Sequence, residues 1–304
     1  MAINLEGLLL PVTTPFKDDE VINFDGLNAN IEKWTEAGVD GFVLLGSTGE
    51  RVNLDEGEYA EVIKAARAAV AETLTFIVGA GQQSTRGTIK EIERAAVAGA
   101  EAVLVITPSF YKSAITQDAL VKHYRAIAEA SRVPVILYSM PDLTGITIEP
   151  ETAARLSEHR NIIGMKDSSN DVARFAEAVR VTPEDFALMI GNGTVFLEAL
   201  QAGARGAILA AGCAVPKLCL EIYRAVDQGD LDHAAILQQK LTPLARAVTK
   251  TYGIGGLKAA MEMAGYLGGA VRAPLRLPSE AACAEIKSLL REANDVISHQ
   301  FSMA

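Results

Sequence analysis

Ile162-Ile163-Gly164-Met165-Lys166 is a run of mostly apolar, β-favouring residues that ends on a lysine. Its hydrophobicity is continuous rather than alternating, so a strand here has both faces covered, which is the mark of a parallel sheet. Runs of the same kind recur at 8–13, 41–45, 75–79, 102–107, 134–139, 186–191 and 206–211. Each is followed by helical spacing. Over 117–130, for example, Leu120, Val121, Tyr124, Ile127 and Ala128 fall on one face. Strand-helix units in this number match a (β/α)8 TIM barrel, an α/β fold of typically about 250 residues. A doubly wound sheet is the alternative. Against it, no GxGxxG follows the first strand, and Gly79-Ala80-Gly81 and Gly191-Asn192-Gly193 are isolated glycine pairs of low specificity.

Beyond the eighth unit the pattern is helical at 218–226, 231–248, 256–267 and 280–297, with glycine or proline at the breaks and no strand between. The chain therefore divides into a barrel over 1–227, carrying the site, and a C-terminal helical appendage over 228–304. With 28 basic and 38 acidic residues the formal net charge is −10, which argues against nucleic acid or an anionic membrane as partner. The N-terminus lacks a basic start and a long apolar core, and no apolar stretch approaches the ~20 residues of a spanning helix. A cytoplasmic protein is expected. Cys213, Cys219 and Cys283 lie in no CxxC spacing, and His123, His159, His233 and His299 form no paired ligand motif. Disulfides, a structural metal and a metal cofactor are not expected.

In such barrels the chemistry sits at the C-terminal ends of the strands. The second run ends Gly46-Ser47-Thr48-Gly49-Glu50, where glycines let the backbone approach a ligand and hydroxyls with free amides suit a carboxylate. An ordinary Gly/Ser turn reads the same way. The fifth run delivers Tyr138, either a proton relay or a packed aromatic. The sixth delivers Lys166, with Asp167, Ser168 and Ser169 behind it. Position alone favours a lysine just past the strand and in solvent. An ammonium kept from water tends to give up its proton, leaving an amine that attacks carbonyls, and three such ends on one rim favour that second reading.

Together these runs resemble the family of pyruvate-dependent class I aldolases and synthases that includes N-acetylneuraminate lyase and dihydrodipicolinate synthase. The resemblance spans nearly the whole chain and rests on GSTGE (46–50), LYSMP (137–141), NIIGMKDSS (161–169) and GARGAI (203–208). It implies that Lys166 forms a Schiff base with the keto carbon of pyruvate or another 2-oxo acid, without a cofactor. It also implies that Tyr138 shuttles protons, that Ser47 orients its hydroxyl, and that the Ser47 and Thr48 amides hold the carboxylate. Gly49, Ser168, Ile208 and Tyr111 complete the substrate-binding set. A homotetramer built as a dimer of dimers is implied as well, with the loop carrying Phe110 and Tyr111 reaching the neighbouring site.

Two positions depart from the synthase pattern. Leu143 stands where synthases carry an arginine that grips the second substrate's carboxylate, with Arg86 or Lys112 as other sources of that charge. Phe110 stands at the position of the relay tyrosine, with Tyr111 one residue away. The wording LYSMPDLTG and GMKDSSNDV is closest to aldolases acting on 4-hydroxy-2-oxo acids or 2-keto-3-deoxy sugar acids and releasing or using pyruvate. The alternatives are dihydrodipicolinate synthase or a dehydratase or deaminase of the same family. A non-catalytic metabolite-binding barrel is the remaining reading, and its expected sign, loss of the lysine or tyrosine, is absent.

Overall fold

The computed structural model describes residues 3–300, with side chains through residue 295. Its strands are β1 (Gly7–Pro11), β2 (Gly41–Leu44), β3 (Thr75–Ala80), β4 (Ala102–Ile106), β5 (Val135–Ser139), β6 (Ile162–Asp167), β7 (Ala187–Ile190) and β8 (Gly206–Ile208). Each pairs in parallel with the next, and β8 returns to β1 with Ile208 opposite Leu9, so the sheet closes into a barrel. Period two explains why the strands read as unbroken apolar runs. Leu9, Val43, Ile77, Leu104 and Ile136 fill the barrel interior, while Leu8, Leu10, Phe42, Leu44, Val103 and Leu137 pack outward against helices.

The helices are α1 (Phe24–Glu36), α2 (Glu56–Ala69), α3 (Thr85–Val97), α4 (Gln117–Ala130), α5 (Pro141–Thr144), α6 (Pro150–Ser157), α7 (Val172–Val181) and α8 (Phe196–Gln201). After β8 come α9 (Pro216–Asp227), α10 (Leu231–Arg246), α11 (Gly253–Met263) and α12 (Glu280–Gln300). Several start on side-chain caps: Ser84 accepts from Gly87 N, Thr116 from Ala119 N, and Asp55 forms a reciprocal capping box with Glu58. No helix among the described residues is long and apolar enough to cross a membrane.

Five of the apolar runs, those of β1, β2, β4, β7 and β8, overshoot their strands where the chain peels away at the barrel's C-terminal face. Strand β2 stops at Leu44 because Leu45 takes a φ of 54°, and β8 stops at Ile208, before a short turn over Ala210–Cys213. The helical pattern read over 231–248 instead ends at Arg246 and widens into a π turn at Ala247–Thr251. Helix α11 then starts at Gly253, ahead of the expected 256. The glycines that read as a break lie in its first turn, because a Cβ on Gly255 would stand 2.1 Å from the Arg276 carbonyl oxygen.

Helix α11 reaches the barrel mouth through a buried charge. Lys258 is fully buried, and its Nζ lies 2.6 Å from Glu50 Oε1, itself almost fully buried at the end of the turn after β2. The same ammonium donates to the carbonyls of Thr14 (2.8 Å) and Ala270 (2.5 Å) and faces the Phe16 ring at 4.6 Å. Burial pulls the Lys258 pKa down, and Glu50 opposes that shift. Removing one partner strands the other charge in the interior, which costs about 3–5 kcal/mol. Lys258→Met should therefore lower the thermal midpoint by many degrees, and adding Glu50→Leu should recover a large part of the loss. An unchanged midpoint in the single variant would show that the pair holds nothing.

Candidate active site

Strands β5 and β6 set Tyr138 directly opposite Lys166 in their ladder, so both side chains point into the barrel from the same level. Lys166 is 5% exposed and Tyr138 3% exposed. The Lys166 ammonium nitrogen stands 4.5 Å from the Tyr138 ring centroid, and the Tyr138 hydroxyl shares a 3.1 Å hydrogen bond with Ser47 Oγ. Among the described residues Lys166 makes no hydrogen bond or ion pair, unlike Lys258. Space for its side chain comes from the end of β7, since a Cβ on Gly191 would stand 2.4 Å from Lys166 Cε and 2.0 Å from Ser168 Oγ. The sequence treated Gly191 only as half of an isolated pair; its steric role depends on a neighbouring strand and carries no local signal.

The turn after β2 is built to leave two amides unused. Gly49 N bonds back to Gly46 O (3.1 Å) and Glu50 N to Ser47 O (3.2 Å), with Glu50 at a φ of 55°. Thr14 Oγ1 donates to the Gly49 carbonyl at 2.7 Å. Among the described residues the Ser47 and Thr48 amides donate to no protein acceptor, although Thr48 is buried. Adjacent free amides of this kind form an anion-binding concavity. Sequence reasoning missed Thr14 and Glu50 as supports, because their partners lie far along the chain.

Behind Lys166, Ser168 is buried, and its hydroxyl has no hydrogen-bonding partner among the described residues. The Asp167 carboxylate accepts the Ser169 amide at 2.7 Å. Burial raises the Asp167 pKa, against the lowering effect of that hydrogen bond and of Arg174. Ile208 is fully buried and shares the interior apolar cluster with Tyr138 and Met189. Thus Lys166, Tyr138, Ser47, Thr48, Gly49, Ser168 and Ile208 all come from ends of strands that meet at one mouth.

Tyr111 does not join them within this chain. It and Phe110 are 70% and 75% exposed, packed edge to face at 5.0 Å on the loop after β4. Tyr138 has Ser47 as its hydrogen-bonding partner, and Tyr111 makes no bond to either. The base of the aromatic loop is fixed by Gln83, whose Oε1 accepts the amides of Ser109 (2.9 Å) and Phe110 (2.8 Å). Leu143, in α5, is 59% exposed at the rim.

The chain as a whole has known relatives. Residues 4–293 match the model of the dihydrodipicolinate synthetase family. The chain is 37% identical over 294 residues to the 4-hydroxy-tetrahydrodipicolinate synthase of Methanopyrus kandleri, covering 96% of each. It is 35% identical to the enzyme of the same name from Archaeoglobus fulgidus, covering 94% of this chain and 97% of that one. The solved structure of a chloride-inhibited dihydrodipicolinate synthase from Acinetobacter baumannii, complexed with pyruvate, superposes with a TM-score of 0.89 at 30% identity, covering 96% of this chain and 99% of that one. The chain therefore belongs to the dihydrodipicolinate synthetase family, the pyruvate-dependent class I enzymes that its motifs resemble.

Proposed function

We propose that Lys166 condenses with the keto carbon of pyruvate and that the resulting enamine adds to an aldehyde, as in 4-hydroxy-tetrahydrodipicolinate synthesis. The observation that carries this is a buried amine without a salt-bridge partner, 4.5 Å from a phenol that is already bonded to Ser47. The free-base amine attacks C2 and the carbinolamine loses water to give a protonated imine. That imine is an electron sink: loss of a C3 proton yields the enamine, whose C3 then bonds to the carbonyl carbon of the acceptor. Tyr138 lies where a phenol can take and return these protons, and its bond to Ser47 sets the hydroxyl's direction. The unused amides of Ser47 and Thr48 suit the pyruvate carboxylate, Ile208 the methyl side of the pocket, and Ser168 a hydroxyl further along the substrate.

The names of the curated relatives favour the synthase over the aldolase that the wording of the motifs suggested first. One observation favours the second reading, cleavage of a 4-hydroxy-2-oxo acid to pyruvate and an aldehyde. Leu143 brings no charge to the place where synthases hold the acceptor carboxylate. A homotetramer in the cytoplasm belongs to the same proposal. The exposed Phe110-Tyr111 pair is costly in water and favourable in an interface, which supports an assembly in which this loop meets a second copy.

Treatment with pyruvate and borohydride should add a reduced three-carbon adduct to the peptide carrying Lys166. Lys166→Arg should abolish it with the fold intact, whereas an adduct elsewhere would refute the assignment. Tyr138→Phe should still trap some pyruvate yet lose about 10²-fold or more in kcat, the size of a general acid–base contribution. Normal turnover would make Tyr138 a packing residue. Condensation of pyruvate with aspartate semialdehyde, followed in a coupled reductase assay, should be faster than pyruvate release from 4-hydroxy-2-oxoglutarate. The opposite ranking would move the chain to the aldolases. Light scattering should give four chain masses, falling when Phe110→Ala and Tyr111→Ala are combined; a fully active monomer would remove the interface.

A further inference from the structure

We infer that Lys112 is the cation that receives the carboxylate of the second substrate, in place of the side chain that Leu143 does not provide. The inference rests on the pyruvate-imine reading and extends it to the acceptor. It begins with two neighbouring loops on the barrel rim, one after β4 and one after β5, joined by a 3.1 Å hydrogen bond from Thr107 Oγ1 to Thr144 Oγ1. Lys112 opens a short 3-10 turn over Lys112–Ala114, and Gln83 fixes the backbone just before it. From there its side chain crosses to the other loop. A Cβ built on Gly145 would lie 2.8 Å from Lys112 Nζ and 3.1 Å from its Cε, so the ammonium rests on the face of Gly145, two residues beyond Leu143.

Gly145 suits this position on two counts. It caps α5 in the left-handed region, at a φ of 67°, with its amide on the Pro141 carbonyl at 2.8 Å, and it leaves the space that the ammonium occupies. Lys112 is exposed, and among the described residues its ammonium makes no hydrogen bond or ion pair. The acid in α5, Asp142, already faces Lys250 at 3.5 Å. An unneutralised cation is thus held beside the loop that descends through Met140 to Tyr138. The reaction needs a positive charge there whenever the group beyond the new bond carries a carboxylate, because a partly desolvated anion requires a counter-charge. The substrate class follows: an aldehyde acceptor, or its aldol product, bearing a second carboxylate rather than a neutral polyol chain.

Lys112→Met should raise KM for the carboxylated acceptor by about tenfold or more, the scale of one charge-assisted hydrogen bond. KM for a neutral aldehyde acceptor should not change, and neither should borohydride trapping of pyruvate on Lys166. Lys112→Arg should keep near-parent KM, and adding Leu143→Arg to Lys112→Met should restore much of the loss by supplying the charge from α5. Arg86→Met, which removes the other unpaired cation considered from the sequence, should leave KM at the parent value. An unchanged KM in Lys112→Met with normal pyruvate trapping would overturn the role of Lys112 and leave the imine reading standing. Absence of trapping in the parent enzyme would overturn both.

Discussion

The buried pair between Glu50 and Lys258 is the contact on which the geometry of the mouth depends. Glu50 ends the turn that carries Ser47 and Thr48, and it does so in a left-handed conformation that a side chain adopts only when its surroundings enforce it. Lys258 supplies that enforcement from a helix beyond the barrel. Its ammonium also takes the Thr14 carbonyl, while the Thr14 hydroxyl holds the Gly49 carbonyl, so the turn is gripped at two successive residues. Phe16 lies between two cations, Lys258 at 4.6 Å on one contact and Arg272 at 4.4 Å on another, and Arg272 is forked onto Glu58 at the start of α2. Desolvating these charges returns little net stability. What it fixes is position, since the donors and acceptors are met together in one arrangement of the turn.

Two buried lysines in one chain stand in opposite surroundings. Lys258 has a carboxylate, two carbonyls and a ring face, and it is committed to them. Lys166 has a ring face and, among the described residues, no hydrogen bond or ion pair. The nearest acid in sequence, Asp167, lies on the opposite face of β6 and is occupied by the Ser169 amide. Alternation along the strand therefore keeps the carboxylate away from the amine. A shift of one residue in the register of β6 would exchange them, which is why the pairing of Tyr138 with Lys166 across β5 and β6 matters beyond the fold.

The sequence displayed the barrel because strands covered on both faces leave a local signature that needs no partner to be seen. Leu8, Leu9 and Leu10 are all buried, in two different environments, and read simply as an apolar run. The candidate site residues stood out for a related reason, since Ser47, Tyr138 and Lys166 lie at or just past the ends of runs, and the fold gathers those ends at one mouth. The limits of elements did not. Leu45 is an ordinary strand residue in pattern, yet it leaves the ladder at a φ of 54° because the turn beyond it is pinned from elsewhere. Glu50 with Lys258, and Gly191 with Lys166, are likewise relations between distant positions that no periodicity records.

The same limit governs how far matching one position at a time can carry function. At position 143 the resemblance to synthases implies a cation, and the chain has a leucine. The rim, however, is made of adjacent loops, and a charge required at a point in space can arrive from either side. Thr107 and Thr144 tie the two loops together, and Gly145 gives the neighbouring lysine a surface to lie on. An arginine and a lysine are still not equivalent there, because a forked guanidinium fixes a carboxylate's orientation and an ammonium fixes only its distance.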